Sequence, residues 1–86
     1  MSDFKNMTEG LRLRDRVIKL MESDEDFGGP QSVDDLCRNL GISNGSARSV
    51  LVKLSKAGKI ERISKGIYQL PGESRRYHKN KPHIGS

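Results

Sequence analysis

The chain has 86 residues, of which 33% are hydrophobic, with no tryptophan and a single cysteine. A chain of this length makes one small domain that buries only about 60% of its unfolded surface, too little to build an active-site cleft with ease. One cysteine rules out an internal disulfide framework, no apolar run approaches the ~18 residues of a membrane span, and the opening MSDFKNMTEG lacks the pattern of a signal peptide, so an intracellular protein is expected.

Net charge is +5, and it is unevenly placed. Residues 1–42 carry 6 basic and 9 acidic side chains, whereas residues 43–86 carry 10 basic and 2 acidic. That division turns the C-terminal half toward a polyanion. Nucleic acid is the polyanion expected, because a membrane-surface helix needs bulky apolar residues along its other face.

Residues 1–8 are weakly patterned and read as a flexible lead-in containing Phe4 and Met7. Thr8 is placed to cap a helix running from about Glu9 to Glu22, with Leu13, Val17, Leu20 and Met21 as its apolar stripe and Leu11 and Ile18 at the margins. Arg12, Arg14, Arg16 and Lys19 read as its solvated face. Ser23 to Gln31, SDEDFGGPQ, is an acidic loop in which Gly28-Gly29-Pro30 breaks any helix. Its acids lack the alternating spacing and closing glutamate of a calcium loop. A polyanion would repel it, so it is expected on the far side of the domain from any such partner.

Ser32 and Asp35 stand at capping-box spacing and open a second helix, on which Val33, Leu36, Cys37 and Leu40 share one face. Gly41 stops it in a left-handed turn plugged by Ile42. Ser43 caps a third helix whose buried stripe is Ala47, Val50, Leu51 and Leu54. Its other side carries Asn44, Gly45, Arg48, Ser49, Lys53 and Lys56, and no acid occurs from Ser43 to Lys59. Neutral polar and cationic groups over four turns suit the phosphate walls and base edges of a DNA major groove, although solvated helix faces also look this way. Ala57-Gly58 ends this helix. Lys59 to Ile63 and Ile67 to Leu70 then make a hairpin around Ser64-Lys65-Gly66, with Gly66 supplying positive φ.

The runs Leu40-Gly41-Ile42-Ser43, Ala47 to Leu54, Ala57-Gly58-Lys59-Ile60 and Arg62 to Tyr68 together resemble the winged helix-turn-helix DNA-binding domains of bacterial, archaeal and viral regulators. The resemblance covers roughly residues 11–70. It implies an α+β, mostly α fold: a three-helix core with a two- or three-stranded β-wing, Gln31 and its neighbours giving the third strand. Residues 9–71 would form this domain.

On that reading, the helix of residues 44–57 enters the major groove. Asn44, Arg48 and Ser49 approach base edges, and Ser43, Ser46, Lys53, Lys56, Arg62, Ser64 and Lys65 hold phosphates. Residues 72–86 lack the apolar content to fold alone and read as a basic, disordered tail, in which Arg75, Arg76, Lys79 and Lys81, with Tyr77 among them, follow the DNA backbone. Tyr68 packs its ring on the core. Cys37 reads as a small buried hydrophobe, and His78 and His83 do not make a zinc site with one distant cysteine. No nucleophile motif, phosphate-binding glycine loop or paired-carboxylate arrangement occurs, so no catalytic residue, metal, cofactor or small-molecule substrate is expected.

The expected protein is a cytoplasmic, nucleoid-associated transcriptional regulator. Its partners are double-stranded DNA and a second copy of itself. The competing readings are a winged-helix adaptor that docks on another protein, and an architectural or plasmid-segregation protein that coats DNA.

Overall fold

The computed structural model describes residues 10–84. Apolar stripes at helical spacing produce α1 (Leu13–Glu22), α2 (Val33–Leu40) and α3 (Asn44–Lys56), and the short runs between turn formers produce β1 (Gln31–Ser32), β2 (Glu61–Ser64) and β3 (Ile67–Gln69). The strands make one antiparallel sheet in the order β1-β3-β2, so the wing has the third strand centred on Gln31. The architecture is a winged helix-turn-helix.

The first helix starts later than its sequence pattern predicts. Gly10 sits at φ 85, and Arg12 is the N-cap in extended backbone with no side-chain cap, so the helical bonds begin with Arg16 N–H donating to the Arg12 carbonyl at 3.0 Å. Leu11 therefore lies exposed rather than at the margin of the stripe. Thr8, Glu9 and the lead-in of residues 1–8 lie outside the described residues.

Both helix junctions of the central motif form through the residues that the sequence marks. Ser32 accepts from the Asp35 amide while the Asp35 carboxylate accepts from the Ser32 amide, each at 3.0 Å. Gly41 takes φ 65, which lets its own N–H and that of Ile42 donate to the Cys37 carbonyl. The Ser43 hydroxyl then accepts from the Ser46 amide and starts α3.

Val17, Leu20 and Met21 of α1 pack with Leu36 and Leu40 of α2, Ala47, Val50, Leu51 and Leu54 of α3, and Ile60 before β2. Phe27 joins them from the acidic loop, turning inward while Asp24, Glu25 and Asp26 stay exposed. Cys37 and Tyr68 pack against this core half-buried. A buried polar thread runs beside it: the Gln31 amide donates to the Phe27 and Gly29 carbonyls, Asn39 donates to Gln31, and Asn39 accepts from the Ile84 amide. Among the described residues, every buried side-chain nitrogen and oxygen has a partner.

Where a disordered tail is expected from residue 72, residues 72–84 instead run as a strap across the domain. They contain no helix or strand, and they hold on through polar anchors. The Arg75 guanidinium donates to the Ser23 carbonyl at 2.6 Å and the Met21 carbonyl at 3.0 Å while pairing with Glu73 at 2.8 Å. The Lys81 ammonium donates to the carbonyls of Gly28 and Pro30 and stands 5.9 Å from the centre of the Tyr77 ring. His83 meets Asp35 at 2.7 Å, and Ile84 rests on the core. The composition is too polar to form a core of its own, but its cations find backbone carbonyls at the end of α1 and in the following loop.

Burial opposes ionisation of Asp35, yet hydrogen bonds from His83 and from the Ser32 amide and hydroxyl outweigh it and hold the carboxyl below its ordinary value of 3.8. A lowered folded value means that the stabilisation is complete above 3.8 and is lost as pH falls through the lowered value. Asp35→Asn is expected to lower stability at neutral pH by about 1–3 kcal/mol. In urea denaturation that deficit should shrink as the pH is taken below 3.8. A deficit that does not change with pH would contradict this account.

Candidate nucleic-acid interface

Burial of Ala47, Val50, Leu51 and Leu54 fixes the rotation of α3 and leaves its opposite face to solvent. Asn44, Gly45, Ser46, Arg48, Ser49, Val52, Lys53 and Lys56 are all exposed there, so the three expected base-reading residues share one accessible face. The Arg48 Nε donates to Asn44 Oδ1 at 3.0 Å. This i,i+4 bond aligns the two side chains while leaving both terminal guanidinium nitrogens out of the contact, and those are the atoms that pair with guanine O6 and N7. Ser43 and Ser46 are tied together at the first turn by a 3.1 Å hydroxyl contact. No acid occupies that turn, so nothing offsets the positive end of the helix there.

Gly45 has no structural reason to be glycine. It is not at positive φ, and a Cβ built there would meet nothing within 4 Å. Its effect is to leave the first turn of α3 bare.

The wing is exposed along the whole of β2, whereas β3 is half-buried between its two neighbours. A register shift between Arg62 and Ser64 leaves Ile63 as the extra residue of a bulge, 42% exposed. Arg62 donates from Nε to the Ser64 carbonyl at 3.2 Å and so lies along its own strand. Lys65 is exposed at the tip beside Gly66, whose carbonyl accepts from the Val33 amide and ties the wing to the start of α2.

Lys53 belongs to a second feature as well. With Arg14, Lys59 and the acidic Asp15 it rims a groove of about 590 Å³ between α1, α3 and the end of the wing, floored by Ile18, Val50, Leu54 and Leu70. Lys59, just past the helix, is a cation of this groove that sequence spacing does not single out. Arg14, read as a solvated charge, also stands on this rim.

Of the four tail cations, Arg75 and Lys81 are engaged within the fold and Arg76 and Lys79 are exposed. Arg75 and Lys81 spend their donors on backbone carbonyls, and Lys81 is half-buried, which pushes its ammonium down from the ordinary lysine value. Arg76 and Lys79 are exposed, yet both line shallow clefts that the strap shares with Asp26 of the acidic loop. The strap is held to this loop through the backbone carbonyls that Arg75 and Lys81 engage. Tyr77 is half-buried rather than displayed.

Among the described residues, no group of three or more His, Cys, Asp or Glu side chains is placed to hold a metal ion, and no helix is long and apolar enough to cross a membrane. No curated protein and no solved structure matches the chain. Residues 32–71 match the family model described as "Transcriptional regulator, AbiEi antitoxin". The matched segment, less than half of the chain, runs from the capping serine of α2 through the end of the wing, so the central motif and wing of this winged helix-turn-helix fold are similar to those of a transcriptional-regulator family.

Proposed function

We propose that this chain is a sequence-specific double-stranded DNA-binding regulator that sets α3 in the major groove. One observation carries the reading: the solvent face of α3 holds Asn44, Arg48, Ser49, Lys53 and Lys56 with no acid from Ser43 to Lys59, and Arg48 and Asn44 are already aligned by their hydrogen bond. Arg48 pairs with guanine and Asn44 with adenine, each good pair giving about 1–3 kcal/mol of discrimination. Ser43, Ser46, Lys53, Lys56 and the wing residues Arg62, Ser64 and Lys65 hold phosphates, which fix register without reading sequence. A single module of this size buries only about 600–1,000 Å² on DNA, so two copies on a palindromic site supply the remaining specificity. The match of residues 32–71 to a transcriptional-regulator family supports the same reading.

Selection of duplexes from a random pool, followed by sequencing, tests sequence preference and site symmetry together. Arg48→Ala is expected to weaken binding to the selected site by about 1–3 kcal/mol and to relax one base position. Lys53→Ala should weaken all duplexes alike and reduce the log–log salt slope by about 1. If Arg48→Ala binds every duplex as the parent does, α3 is not the reading helix. Gly45→Ala separates folding from binding. Gaining a Cβ without a clash, it should stabilise the free protein by about 0.5–1 kcal/mol in urea denaturation while weakening duplex binding. Unchanged affinity would show that the first turn does not approach DNA closely.

A further inference from the structure

Val52 breaks the local rules for a solvent-facing helix. It lies in the interior of α3, is 43% exposed and sits outside the core cluster. A β-branched side chain there gives up helix propensity, and wetting it gains nothing in return. Single exposed apolar residues are ordinary on protein surfaces. The position of this one is not. Val52 follows Arg48 by four residues and Ser49 by three, and Lys56 follows it by four, so it stands in the same surface row as the Asn44–Arg48 pair. Seven residues before it, about two turns, is Gly45, the other residue of this face whose identity the folded chain does not explain. Both lie opposite the buried stripe of Ala47, Val50, Leu51 and Leu54, at the part of α3 farthest from the core.

An apolar side chain in the middle of a polar and cationic reading surface needs an apolar target. The major groove displays one such group, the C5 methyl of thymine. We propose that Val52 is a specificity-determining residue that covers a thymine methyl, with the bare turn at Gly45 allowing the helix to come close enough. This inference rests on the entry of α3 into the major groove.

The test uses the full chain and the duplex recovered from the random pool. Each thymine is replaced in turn by uracil, which lacks only the methyl group, and Kd is measured for the parent, Val52→Ala and Arg48→Ala. The parent is expected to lose about 4-fold in affinity at one thymine per bound copy, the effect of one buried methyl group. Val52→Ala should bind the unmodified duplex more weakly by a similar factor and no longer distinguish thymine from uracil at that position. Its circular dichroism should match that of the parent, since an exposed side chain is being shortened.

If the parent is indifferent to every thymine-to-uracil change, or Val52→Ala keeps the full discrimination, Val52 does not read the methyl. A selected site with no thymine within reach of α3 would overturn the assignment equally. In each of these cases Arg48→Ala would still alter base preference and the groove assignment would survive. Loss of the reading beneath it has a different signature, with Arg48→Ala indistinguishable from the parent on every duplex.

Discussion

Three parts of this protein meet at Ser32 and Asp35. Ser32 is the last residue of β1, paired across the sheet with Ile67, and it is also the residue that caps α2. Its hydroxyl and amide are both engaged by Asp35, so the edge of the wing passes into the helix-turn-helix without a flexible joint. The outer oxygen of the same carboxylate receives His83 from the strap. A cap of this kind contributes about 1 kcal/mol on its own. Its larger consequence is geometric, because the wing, α2 and the strap share one fixed point.

From that point the exposed face of α3 follows by packing. α2 is held by its cap at one end and by the left-handed turn at Gly41 at the other, and the Ser43 cap then fixes where α3 begins. The completely buried Ala47 and Leu51 set the rotation of α3. Every side chain on the opposite face is thereby relieved of structural duty, which is why residues poor for stability, a glycine and an exposed valine, are tolerated there.

The strap changes how the charge of the chain is to be understood. The basic excess of residues 43–86 looks like one polyanion-facing surface, yet it divides into two. Arg75 and Lys81 donate to backbone carbonyls at and after the end of α1, and Arg76 and Lys79 line clefts that also contain Asp26. Arg48, Lys53, Lys56, Lys59 and Lys65 remain exposed on α3, the segment after it and the wing tip. The strap docks on backbone carbonyls of the acidic loop while Asp24, Glu25 and Asp26 stay exposed, and the solvent face of α3 carries cations with no acid of its own.

Local signals in the chain were enough to determine the helix-turn-helix and the hairpin: capping residues at fixed spacing, apolar positions at the helical period, and glycines at turns act over four residues or fewer. The exposed face of α3 was legible for the same reason, since its rotation follows from its own buried stripe. Tertiary structure alone decided the late start of α1 at Leu13, the inward turn of Phe27, the polar thread from Gln31 through Asn39 to Ile84, and the docking of the tail. The docking of the tail and the end of the polar thread depend on partners tens of residues apart, such as Arg75 with Ser23, His83 with Asp35 and Ile84 with Asn39. A cation's spacing in sequence does not reveal whether it faces solvent or a backbone carbonyl, and folding places the two kinds on different surfaces.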